Sequence, residues 1–262
     1  MPYALRLIGV ALLASLGWWQ WQPDPPALAT LPAPTRVEVV AMAAELPAKP
    51  LRLTLKASAC LERCAEFELD ALQFPQAPEL THAFLAAIDA PAGPSPEERV
   101  MAMAKTLLKE AAEFHEPWQQ IVKAQQVPGI SNIVVIAIDN YTYTGGAHGM
   151  NVVSALNWDT RLQRVVTLKD TLLPEQADAF WREAKQVHQK WSAMQPDAKS
   201  LVDGWPFDKT DVFALLPAGL VLKYQPYALG PYSMGTPELV IPYARLGGIL
   251  KSEYLPKSNA IR

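Results

Sequence analysis

The sequence has no run of lysine or arginine and little charge of either sign in excess. Its 23 basic and 26 acidic residues leave a formal net charge of -3. Nucleic acids and anionic membranes are bound by concentrated positive charge, so neither is an expected partner. Cysteine is scarce, with two residues in 262. Neither lies beside the N-terminal apolar run, which argues against a lipid-modified cysteine there. The G-x-S-x-G and H-E-x-x-H patterns of nucleophilic and zinc hydrolases are absent. The four histidines, His82, His115, His148 and His188, are scattered, a thin basis for a metal site. No cofactor signature is present either. No catalytic residue, metal or cofactor is therefore expected.

What is present begins with an export signal. Arg6 precedes an uncharged run from Leu7 to Gly17, followed by Trp18, Trp19 and Trp21, with no further Lys or Arg before Arg36. This asymmetry keeps the N-terminus in the cytoplasm and places the rest beyond the membrane. Residues 1–22 read as a signal peptide or a signal anchor. Ala27-Leu28-Ala29 offers a cleavage site, whereas the tryptophans suit an interfacial belt that would hold residues 5–21 in the inner membrane. Both fates stay open, and both give a periplasmic protein. Residues 23–50 carry Pro23, Pro25, Pro26, Pro32, Pro34, Pro47 and Pro50, the composition of an extended spacer.

The folded part is expected from Leu51. Leu53, Leu55 and Ala57 alternate with Arg52, Thr54 and Lys56, and Phe67, Leu69 and Ala71 alternate with Glu66, Glu68 and Asp70. Two such runs around Cys60 and Cys64 read as a hairpin. If the cysteines face each other, Leu55 falls opposite Leu69, Ala57 opposite Phe67 and Lys56 opposite Glu68. In an oxidising compartment Cys60 and Cys64 should form a structural disulfide, adding about 2 kcal/mol through so short a loop. A zinc pair lacks partner ligands, and redox dithiols usually have two intervening residues rather than three.

Ser95-Pro96-Glu97-Glu98 is a helix start, with Ser as N-cap and Pro at the first position. Val100, Met103, Leu107, Ala111 and Phe114 form its apolar stripe, and Pro117 ends it. A second amphipathic helix is expected over 174–194, with Ala177, Phe180, Trp181, Ala184, Val187, Trp191 and Met194 on one face. His188 borders that face as a packed or half-exposed side chain. Residues 132–143 are rich in Val and Ile and read as a central strand. Met150, Val152, Leu156 and Trp158 share one parity and suit its neighbour. Residues 212–216, 219–224 and 238–241 are short strands. Helices and strands do not alternate as βαβ units, so the expected class is α+β. It would be an antiparallel sheet with two main amphipathic helices and an N-terminal disulfide-closed hairpin. The folded part divides into a hairpin–helix region, 51–130, and a C-terminal domain, 131–255.

Between the two long strands lies YTYTGGAHGM, residues 141–150. Gly145 and Gly146 supply positive φ for a bulged hairpin, in which His148 would bond neighbouring backbone. Catalysis would require a nucleophile or a carboxylate beside His148, and Asp139 and Asp159 are the candidates.

The same block, with LNWDTRLQRVVTLKDTLL (156–173) and LKYQPYALGPYSMGTPELVIPYARL (222–246), resembles the C-terminal domain of RsiV-type extracytoplasmic proteins. LQFPQAPELTHAFLAAI (72–88) is similar to the region preceding that domain, which also occurs beside a peptidoglycan deacetylase domain. The likeness spans roughly residues 51–255. It implies binding, since the sensing member of that family captures lysozyme with its outer domain. About six residues precede the apolar run, too few to hold a sigma factor, so an anti-sigma role is not implied here. By the resemblance, Pro226 and Tyr227 would approach a partner.

Residues 225–237 are uncharged, with Tyr227, Tyr232 and Met234 among prolines and glycines, a composition suited to rigid amphipathic contacts. The expected binding set is Pro226, Tyr227, Tyr232, Tyr143 and His148. The expected function is an envelope binding protein whose partner is a muramidase or a wall-active toxin, in an inhibitor or immunity role. The alternative is a peptidoglycan-binding or peptidoglycan-modifying protein that uses His148.

Overall fold

The computed structural model describes residues 45–58, 63–196 and 198–257. Residues 1–22, with the signal or anchor at 5–21, and most of the spacer lie outside them. Among the described residues no helix is long and apolar enough to cross a membrane.

The class is α+β, with a six-stranded and a three-stranded sheet. The large sheet has β1 (Lys49–Lys56), β2 (Glu66–Gln73), β3 (Gln119–Val127), β4 (Ile133–Tyr143), β5 (Met150–Asp159) and β6 (Arg164–Val166) in chain order. All its pairings are antiparallel except β2–β3, which is parallel. A parallel neighbour requires a crossover, and helices α1 (Pro78–Ala87) and α2 (Pro96–Phe114) supply it. Residues on both sides of position 130 thus contribute to one sheet.

The N-terminal hairpin forms, but its register differs by two residues from the one expected. Leu53 faces Leu69, Leu55 faces Phe67 and Lys56 faces Glu66. A two-residue shift leaves every side chain on its expected face. It also aligns Arg52 with Asp70 (2.8 Å) and Lys56 with Glu66 (3.2 Å), two cross-strand ion pairs that the expected register would break. The expected Cys60–Cys64 bridge falls partly outside the described residues, because Cys60 belongs to the segment 59–62.

Helix α2 starts as its sequence dictates, with the Ser95 hydroxyl accepting from Glu98 N at 3.2 Å. It stops at His115, whose φ of 59° is a left-handed cap two residues before Pro117. Val100, Ala104, Leu107 and Ala111 are buried, but Phe114 is not: it stacks on Trp118 at 5.3 Å, beyond the edge of the core. With α1, these residues cover the face formed by Phe67, Leu69, Val122, Val134, Ile136 and Trp158. At the far end of β5 that cover runs out, so Met150 and Val152 are exposed although they share the parity of buried Trp158. Helix α1 and strand β3 were not foreseen from periodicity.

The second sheet consists of β7 (Phe213–Leu216), β8 (Gly219–Lys223) and β9 (Glu238–Ile241), within a residue of the expected strands. Two short helices, α3 (Leu168–Thr171) and α5 (Ala198–Gly204), flank the longer α4 (Ala177–Ala193). The small sheet lies between the Ile133–Val135 end of the large sheet and α4, and residues of both parities in β7 and β8 are buried. Helix α4 buries Phe180, Ala184, His188 and Ser192, whereas Met194, past its last turn, is exposed.

His188 is packed, 5% exposed, against Trp191 and Phe207, with Ser192 Oγ at 3.3 Å. Burial lowers its pKa, so the native state resists protonation more than the unfolded chain, which titrates near about 6.5. The unfolded state then binds more protons below that pH, and stability falls as pH decreases. Denaturant midpoints are expected to drop between pH 7.5 and 5.5, and the slope to flatten in His188→Gln. An equal slope in both proteins would disprove the assignment.

Candidate functional site

The connection between β4 and β5 is the expected hairpin, with φ of 101° at Gly145 and 86° at Gly146. The Tyr143 hydroxyl donates to the Gly146 carbonyl at 3.2 Å, closing the turn from within. The His148 ring is exposed, and the adjacent Gly149 is buried. Its Nδ1 lies 2.9 Å from the Gly149 carbonyl. A carbonyl only accepts, so Nδ1 carries the proton. In the neutral ring Nε2 is then the acceptor, and the Tyr227 hydroxyl, at 3.2 Å, donates to it.

Tyr227 and Tyr232 reach this histidine from the segment after β8. That segment is anchored at Gln225, whose side-chain amide bonds both Val153 N and Val153 O at 2.8 Å. Gln225 thereby occupies β5 hydrogen-bonding groups just beyond the short pairing with β6. Pro226 and Leu229 are buried, so the segment folds back on its own domain rather than standing free. Tyr232 stacks on His148, centroids 3.8 Å apart and planes 19° from parallel, and its hydroxyl donates to the Gly149 carbonyl at 2.9 Å. Tyr227 is 45% exposed and adopts φ 68°. A non-glycine residue in the left-handed region carries strain of about 1–3 kcal/mol unless its surroundings compensate. Here the hydrogen bond to His148 and the neighbouring Tyr232 ring, 5.6 Å away, hold it.

The structure therefore joins Tyr227, His148 and Tyr232 into one aromatic surface, with Tyr143 bracing the turn beside it. Pro226 is a buried support and presents no face to a partner. The candidate carboxylates are engaged elsewhere. Asp139 accepts from Asn151 Nδ2 at 3.0 Å. Asp159, fully buried at the opposite end of β5, accepts from Arg161 N and Leu162 N and pairs with the Arg161 guanidinium. No carboxylate bonds His148 among the described residues, and no group of three metal-ligating side chains occurs there.

Two polar anchors, one beside the site and one between the sheets, were not singled out from the sequence. Gln225 precedes a Pro-Tyr pair and resembles any loop amide. Asn157 was visible as an amide flanked by Leu156 and Trp158.

Fold and site together define a mixed α+β domain that carries a histidine-centred aromatic surface at the end of its large sheet. The chain belongs to the DUF3298 family. A DUF3298 family protein from Pseudomonas aeruginosa has a crystal structure that matches with a TM-score of 0.70 at 32% identity, covering 82% of this chain and 98% of that one. A member from Bacteroides fragilis matches with a TM-score of 0.67 at 18% identity, over 83% and 96% of the two chains, a likeness of fold. The family model, described as a protein of unknown function, matches residues 169–244, from α3 past β9. No protein of curated function matches the sequence.

Proposed function

We propose that this chain is an RsiV-type extracytoplasmic binding protein of the cell envelope. It grips a lysozyme-like or other wall-active protein through Tyr227, His148 and Tyr232, in an inhibitor or immunity role. One observation carries the reading: an exposed tyrosine is held in a left-handed backbone conformation by a histidine that is itself stacked on a second tyrosine. Rings fixed in advance lose little freedom on docking. The apolar run at residues 7–17, read as part of a signal peptide or signal anchor over residues 1–22, supports the compartment. Both nitrogens of His148 are engaged in fixing this surface, which suits positioning better than proton transfer.

The test is calorimetric titration of the full chain with a c-type lysozyme. Tyr227→Ala combined with Tyr232→Ala should weaken binding about 100-fold, as for a central aromatic hot spot. His148→Ala removes the support and should weaken it about tenfold. Absence of binding by the unaltered chain would sink the lysozyme reading. Turnover of murein fragments, lost in His148→Ala, would replace it with a peptidoglycan-modifying one.

A further inference from the structure

Beside the glycine turn that carries His148 stands the side chain of Glu116. Helix α2 ends in a left-handed residue at His115, and Glu116 N then donates to the Ala111 carbonyl at 3.1 Å. Trp118 is tied in turn, its carbonyl accepting from Glu66 N at 2.9 Å. With its backbone so fixed, the Glu116 carboxylate lies 3.9 Å from where a Cβ would stand on Gly145. That carboxylate has no ion pair and no hydrogen bond among the described residues. Its acidic neighbours do: Glu113 pairs with Lys109 at 3.8 Å, and Glu66 with Lys56 at 3.2 Å. On either side of Glu116 in the chain, Phe114 and Trp118 stack as a pair, and Phe114 is 67% exposed.

The extent of a protein interface makes this lone carboxylate matter. A stable interface covers about 800 Å² of each partner, a patch of roughly 16 Å radius. Gly145 is three residues from His148, at most about 11 Å along the chain. A protein centred on Tyr227, His148 and Tyr232 therefore covers Glu116 as well. Covering an ionised carboxylate without a counter-charge is strongly unfavourable. Charge complementarity thus requires the partner to place a cation there. The exposed aromatic pair favours a guanidinium over an ammonium. The planar group is weakly hydrated and stacks on ring faces while its fork holds the carboxylate.

We propose that the tyrosine surface extends past the glycine turn to Glu116 and the Phe114–Trp118 pair, and that Glu116 takes an arginine side chain of the bound protein. This extension rests on the binding role proposed above, and two probes separate the failure of one from the failure of the other. The first is c-type lysozyme, titrated into the full chain. Glu116→Gln should weaken binding about tenfold and flatten its salt dependence, and Phe114→Ala should weaken it about tenfold. Glu113→Gln should leave it unchanged. The second probe is N-acetyl-arginine amide, followed through the amide shifts of the isotope-labelled full chain. Saturable shifts at Gly145, Gly146 and Glu116 are expected at millimolar concentration and should vanish in Glu116→Gln. The uncharged isostere N-acetyl-citrulline amide should bind at least about tenfold more weakly. If lysozyme fails to bind while the arginine probe behaves in this way, the lysozyme reading falls and the site at Glu116 stands. Lysozyme binding that ignores Glu116→Gln, or an arginine probe whose shifts are absent or matched by citrulline, would overturn the proposal.

Discussion

Replacing Asn157 by alanine is expected to lower stability by about 3 kcal/mol. Asn157 is fully buried on β5 and faces the small sheet. Its Nδ2 donates to the Phe213 carbonyl at 2.8 Å, and its Oδ1 accepts from Leu215 N at 2.9 Å. Strand β7 is an edge of its sheet, so these backbone groups have no strand to pair with. One side-chain amide satisfies both and joins the two sheets. Alanine would leave a donor and an acceptor buried without partners, together with a small void. Thermal unfolding should shift down by roughly 6–12 °C for a domain of this size. A loss below about 1 kcal/mol would mean that water replaces the amide, and the joint would then not depend on it.

Gly149→Ala is expected to distort the tyrosine surface and to destabilise the chain by about 2–3 kcal/mol, the cost of forcing atoms into packed space. A Cβ at this position would lie 2.5 Å from Cζ and Oη of Tyr141. The backbone of Gly149 is not left-handed, so the objection to alanine is steric alone. Either the Tyr141 ring moves or the Gly149 carbonyl does, and that carbonyl accepts from both His148 and Tyr232. Because the conflict is with one ring, Gly149→Ala and Tyr141→Ala should compensate. The double variant should be less destabilised than the sum of the singles by at least about 1 kcal/mol. Additive effects in denaturant melts would show that the ring is not the obstacle.

Legibility varied with how local the signal was. The small sheet was readable because β7 and β8 are short apolar runs around Pro217-Ala218, a turn that the chain announces itself. The start of α2 was readable because Ser95 and Glu98 contact each other within one turn. Helix α1 was not, since Pro78–Ala87 has weak amphipathic contrast and no side-chain cap. Strand β3 was not, because QQIVKAQQV mixes amides into both of its faces. The hairpin register failed by two residues because side-chain alternation cannot distinguish shifts by an even number. Tyr143, His148, Tyr227 and Tyr232 were all noted, yet only the fold brings the last three together.

By itself the chain determined its α+β class, the glycine turn ahead of His148, and which tyrosines lack a charged neighbour. These follow from backbone preferences and hydrophobic period, which act between residues close in sequence. Tertiary structure alone decided the parallel step between β2 and β3, the burial of Pro226 and the contact of Tyr227 with His148 across 79 positions. Such contacts depend on how separate elements share one core, and no local pattern encodes that.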